Sequence, residues 1–296
     1  MKWFYNYLKE KDFAQQIQNN YQGFANVTPI QEASLALSYA QTHKKPLIIV
    51  KENLTQAMNC ATLISFLDPT LNVVHFDHEE SLRVEAIASS PENYQLKLLS
   101  LYKIMNETVD IVITSIPSLH RRMPLKETLL NKQINIAIGD VVELDDLVKQ
   151  LVSIGYNRTQ IVEQPLSFSK RGGIIDVYSI QYKEPLRIEF FDNEIDSIRF
   201  FDVETQKSTH PTNHITIAVA SDLLVTQDDK TKISEVVSKY SSKTTLEIQS
   251  QIEIDLSLFF EGIRDPKYYH YFALSYKNNS ILDYFEDSKI IFSNKE

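Results

Sequence analysis

The sequence predicts an α/β protein: a parallel, doubly wound layer with an α+β antiparallel-sheet domain inserted into it. Three observations predict this. Up to residue 124, short apolar β-branched runs alternate with stretches of helical period, the pattern of strands buried on both faces between crossover helices. After Pro124 the spacing tightens into strand and turn. A hydrophobic content of 43% over 296 residues is enough to bury more than one core.

The elements follow in order. Leu8, Phe13 and Ile17 mark an amphipathic opening helix, and Ala33 to Gln41 mark a second. Pro46 to Val50, Asn72 to Phe76 and Asp110 to Thr114 read as buried strands, with helices from about Leu54 to Phe66 and Asn93 to Met105 between them. Next come a strand over Ile134 to Ile138 and a helix over Leu144 to Ile154, stopped at Gly155. Strands are then expected at Gln160 to Glu163, Ile174 to Tyr178, Leu186 to Phe191, Ile195 to Phe201 and Ile215 to Val219. A helical stretch near Lys232 to Tyr240, an aromatic cluster from Phe259 to Phe272 and a strand over Lys289 to Phe292 complete the chain. The expected division is 1–124 and 218–296 as the two parts of the α/β domain, with 125–217 inserted between them.

Composition narrows the function. The net charge is −9, and the three segments carry −1, −4 and −4, which disfavours gripping nucleic acid by charge alone. A single cysteine, Cys60, excludes a disulfide framework and a multi-cysteine zinc site. No apolar run reaches the roughly 20 residues of a membrane span, and Met1 to Glu10 lacks the apolar stretch of a signal peptide, so the cytoplasm is the expected compartment. Only six glycines occur, and neither G-x-G-x-x-G nor G-x-x-x-x-G-K-[ST] is present. Such loops need glycine so that backbone N–H groups can approach phosphate. No catalytic residue is assigned: no nucleophile elbow displays a serine. Neither His75 with Asp77, His78, Glu79 and Glu80, nor His210 with His214, makes a closed metal-ligand set.

The meander carries the candidate site. Period-two alternation in Leu186–Phe191 places Leu186, Ile188 and Phe190 on a core face and Arg187, Glu189 and Phe191 on the other. Asp192-Asn193 offers a hairpin turn of two or three residues, and Gly172-Gly173 allows Arg171 to stand near Arg187. One reading pairs Arg187 with Glu189 or Asp196 as exposed ions worth little. The other is an arginine and aromatic hot spot for a protein partner.

Arg171-Gly-Gly-Ile-Ile-Asp-Val-Tyr, followed by Pro185-Leu-Arg-Ile-Glu-Phe-Phe-Asp-Asn-Glu-Ile-Asp-Ser-Ile-Arg-Phe-Phe-Asp-Val-Glu-Thr-Gln206, closely resembles the domain shared by the UvrB and transcription-repair coupling factor (Mfd) families. The rest of the chain is similar to the amino-terminal, UvrB-like module of the coupling factors. That resemblance implies the UvrB 1a-2-1b arrangement, a degenerate helicase-like α/β domain with domain 2 inserted, and it implies UvrA as partner through Arg171, Arg187 and Phe191. Alanine at Arg187 or Phe191 is accordingly expected to weaken UvrA binding and leave the fold intact.

The alternative is a UvrB-type ATP-dependent helicase or damage-recognition subunit. Where UvrB carries its Walker loop this chain reads Val27-Thr28-Pro29-Ile30-Gln31-Glu32-Ala33. Pro29 to Ala33 form a degenerate nucleotide loop: the glycines are gone, Glu32 replaces the phosphate-binding lysine, and Ala33 replaces the magnesium-binding hydroxyl. UvrB's tyrosine-rich damage-wedging hairpin has no room between the second and third strands. The chain thus reads as a fragment without enzyme activity or cofactor of its own. The parent implied is an ATP- and magnesium-dependent DNA translocase that displaces stalled RNA polymerase from duplex DNA. A third reading docks the Arg/Phe face on the parent's carboxy-terminal part.

Overall fold

A computed structural model describes residues 26–76, 91–263, 265–275 and 279–293. The expected opening helix and the segment 77–90, with Asp77, His78, Glu79 and Glu80, lie outside the described residues. In chain order the first elements are helix α1 (Pro29–Thr42), β1 (Leu47–Lys51), α2 (Leu54–Leu67), β2 (Val73–His75), α3 (Pro91–Asn106) and β3 (Ile111–Ser115). Then come β4 (Ile134–Ala137), α4 (Leu144–Ser153), β5 (Asn157–Arg158), β6 (Ser167–Arg171) and β7 (Ile174–Val177). The series closes with β8 (Leu186–Phe191), β9 (Glu194–Phe201), β10 (Ser208–Pro211), β11 (His214–Ile217), α5 (Gln227–Ser241), α6 (Leu246–Glu261) and β12 (Lys289–Ser293). Two compact units emerge: Met1–Arg83 with Ser100–Arg121 and Ser280–Glu296, and Val84–Leu99 with Arg122–Asn279.

The first unit is an α/β layer. Its four strands run parallel in the order β12-β1-β3-β2, with Leu47 opposite both Lys289 and Ile111. All five residues of β1 and of β3 are buried, as expected of strands covered on both faces. Leu37, Ile49, Ile64 and Ile113 share one core with Ala33, Ala57 and Ala61. The small residues let α1 and α2 approach the sheet closely. Helix α1 starts where Thr28 N–H and Oγ1 both donate to Gln31 Oε1, at 2.9 and 2.8 Å, with Pro29 in the first turn where its missing N–H costs nothing.

The second unit contains the meander, a six-stranded sheet ordered β10-β9-β8-β7-β6-β5 and antiparallel except for β5 beside β6. A separate antiparallel pair joins β4 to β11. Phe168, Ile175, Val177, Leu186, Ile188 and Ile198 are fully buried on one face of the large sheet. Helices α5 and α6 close over a further core in which Leu223, Ile233, Phe259, Tyr268, Tyr271 and Phe272 are buried.

Several expectations need correction. Residues 218–279, expected to return to the α/β layer, group with 122–217; α5, α6 and the aromatic cluster have a core of their own, and only β12 joins the parallel sheet. Gln160–Glu163 is not a strand: Thr159 N–H donates to Phe168 O at 2.8 Å, the following residues turn away, and β6 takes up the pairing instead. Helix α6 and edge strand β10 were not expected at all. In Ile252-Glu-Ile-Asp-Leu256 a period-two alternation masks the helical spacing Ile252, Leu256, Phe259/Phe260 that actually faces the core.

Candidate protein-binding site

The register of the meander builds the site. Ser169, Asp176, Arg187 and Arg199 stand directly opposite one another across β6, β7, β8 and β9, so their side chains share the face away from the core. Asp176 is completely buried on that face. A buried carboxylate is costly unless its oxygens are satisfied, and here two arginines satisfy them. Arg187 Nε donates to Oδ1 at 2.7 Å and Nη2 to Oδ2 at 2.9 Å, while Arg171 Nη2 donates to Oδ2 at 2.7 Å.

Arg187 is held on its remaining sides as well. Nη1 donates to Gln206 O at 3.2 Å, and the guanidinium carbon lies 4.7 Å from the centre of the buried Phe201 ring. Gln206 adopts φ +57°, and its Nε2 donates to Val203 O at 2.8 Å, so the loop that presents this carbonyl is itself fixed. The hydrogen bonds from Arg187 to Asp176 hold the guanidinium above its ordinary proton affinity. Only 15% of the Arg187 side chain remains exposed, against 51% for Arg171.

Phe191 is different: it is 77% exposed at the hairpin tip. The turn is two residues long, Phe191 pairs with Glu194, and Asp192 takes φ +57°. An irregularity in register between Glu189 and Phe190 adjusts the pairing just before it. On the neighbouring strand the Gly172-Gly173 turn admits the hairpin closely. Gly172 has φ +59°, and a Cβ at Gly173 would stand 3.2 Å from Phe190 O.

All three residues implied by the resemblance therefore lie on one sheet face or its tip, with Arg171 and Arg187 joined through Asp176. Neither alternative ion-pair partner considered for Arg187 is used: Glu189 instead accepts from Ser197 Oγ at 2.7 Å and lies 3.8 Å from Arg199. Sequence reasoning overlooked Asp176, Phe201 and Gln206. The available signal was a lone aspartate in an otherwise apolar strand, Ile174-Ile-Asp-Val177, which the register sets directly opposite Arg187.

Residues 134–223, which include this whole site, match the family described as the UvrB interaction domain. The match takes in every strand from β4 to β11. The chain is 30% identical over 262 residues to the transcription-repair-coupling factor of Bacillus subtilis (strain 168), covering 85% of this chain and 22% of the relative. It is 30% identical over 277 residues to the coupling factor of Staphylococcus aureus (strain bovine RF122 / ET3-1), covering 90% of this chain and 23% of the relative. The chain thus spans under a quarter of the length of these relatives, and the likeness to the coupling factors extends on both sides of the UvrB interaction domain.

The residues expected to form a degenerate nucleotide loop, Pro29, Ile30, Gln31, Glu32 and Ala33, lie in the first unit at the start of α1. Lys51 Nζ, at the end of β1, donates to Glu32 Oε1 and Oε2 at 2.9 and 2.6 Å and to Ser293 Oγ at 2.8 Å. These residues do not fit a nucleotide phosphate. Gln31 occupies the helix start, Glu32 brings negative charge to it, and the nearby lysine is already neutralised. Among the described residues, no group of three or more His, Cys, Asp or Glu side chains is placed to hold a metal. His210 stacks on Phe200, with ring centres 4.5 Å apart. No described helix is long and apolar enough to cross a membrane.

Proposed function

We propose that this chain is the UvrA-recruiting module of a transcription-repair coupling factor, acting in the cytoplasm by recognition and not by catalysis. The observation that carries the reading is the contrast within one face: a large aromatic left in solvent beside two arginines aligned by a fully buried aspartate. Exposed aromatics beside fixed arginines are where interface energy concentrates. Arg171, half-exposed, keeps donors for a UvrA carboxylate. Arg187 stiffens the platform and presents its remaining edge, and Phe191 fills an apolar pocket. Fixing these groups before contact lowers the entropy lost on binding.

The family match and the coupling-factor relatives support this reading, and so do the helicase-like 1a-2-1b arrangement implied by the sequence and the parallel layer of the first unit. In the whole protein, an ATP- and magnesium-dependent translocase would act on duplex DNA and RNA polymerase. The Glu32–Lys51 pair argues against a UvrB-type ATPase in this chain. Hydrogen exchange of the chain with and without UvrA tests the proposal. Slowed exchange is expected over 170–175 and 187–197, whereas protection confined to the first unit would overturn it.

A further inference from the structure

Phe191 has an exposed apolar neighbour two strands away. The segment joining β4 to α4 runs antiparallel beside the start of β9, on the side away from β8. Gly139 N–H donates to Ile195 O at 2.8 Å, Ile195 N–H to Asp140 O at 2.9 Å, and Val142 N–H to Asn193 O at 2.8 Å. Asn193 Nδ2 closes the clasp on Glu143 Oε1 at 2.6 Å. Val141 thereby pairs with Glu194, which on its other side pairs with Phe191. Residues directly opposite in antiparallel pairs share a face, so Val141, Glu194 and Phe191 form one row across three strands.

Val141 is 78% exposed, as open as Phe191. Single exposed apolar residues are ordinary, but this one is pinned by backbone hydrogen bonds in register with the proposed anchor. Two strand spacings put the pair roughly 10 Å apart. We propose that Val141 is a second apolar contact for UvrA, the partner surface offering two shallow apolar depressions at that spacing, with acidic groups towards Arg171. This inference rests on the proposed function and adds a residue that the sequence motif, which begins at Arg171, does not contain.

Titration of the 296-residue chain with purified UvrA decides the matter, using Phe191→Ala, Val141→Ala and Val141→Asp. Leu246→Ala, 80% exposed on α6 and outside the row, serves as control. Removing two buried methyl groups is expected to weaken binding about fivefold, and placing a carboxylate there by more than about thirtyfold, with the control and all melting temperatures unchanged. Wild-type affinity of Val141→Asp alongside a weakened Phe191→Ala would overturn the inference and leave the proposed function standing. Wild-type affinity of both would overturn the two together. Sedimentation supplies the remaining arm: a dimer dissociated by Val141→Asp, with UvrA affinity unchanged, would assign the row to a second copy and overturn the inference.

Discussion

At the scale of single residues, Arg187 and Phe191 separate into different kinds of contributor. Phe191 packs on little of its own chain, so Phe191→Ala is expected to reduce UvrA affinity by about 2 kcal/mol while changing unfolding free energy by less than about 0.5 kcal/mol. Arg187→Ala is not the fold-neutral change that the resemblance implies. It strips two hydrogen bonds from a fully buried carboxylate, and breaking such a pair costs about 3 kcal/mol or more. Chemical denaturation of Arg187→Ala should show that loss, and Arg187→Lys should recover only part of it because an ammonium cannot bridge both oxygens. Cys60 makes a third case. Burial pushes its thiol up to about 12, so at pH 8 it should be inert to a thiol reagent until the first unit unfolds; rapid labelling of the native chain would contradict the packing of α2 described above.

At the scale of elements, the strands and helices with one clear period were legible and those with two were not. The bounds of Leu186–Phe191 and of the helix around Leu144 follow nearly to the residue from the sequence, because alternation and helical spacing in each point to a single face. The stop at Gly155 was legible for a reason the structure sharpens. Its φ is +102°, and a Cβ there would lie 2.7 Å from Ser221 Cβ. Gly155→Ala is therefore expected to cost about 2 kcal/mol or more, seen as a lowered melting temperature. Helix α6 was hidden by its alternating Ile-Glu-Ile-Asp, and β10 by being exposed at every residue on a sheet edge. The site was half legible. Arg171, Arg187 and Phe191 came from the motif, but Asp176 acquires meaning only from the register that brings β7 beside β8, a long-range fact that no local pattern encodes.

At the scale of the whole molecule, one chain combines a parallel layer in which Glu32, at the start of α1, is paired with Lys51, and a sheet domain that leaves Phe191 exposed at a hairpin tip. Negative net charge fits the proposed protein partner, since the arginines of the candidate site are fixed within an acidic domain. A nucleotide titration is expected to show no saturable micromolar ATP binding, because Lys51, near the start of α1, is already paired with Glu32; tight, magnesium-dependent binding would restore the UvrB-type alternative. The most direct measurement remains the affinity of UvrA for the wild-type chain and for Phe191→Ala, determined side by side by calorimetry on samples with equal melting temperatures. Saturable binding by the wild type, weakened about thirtyfold by the substitution, is the expected result. Equal affinity of the two would contradict the assignment of this face to UvrA.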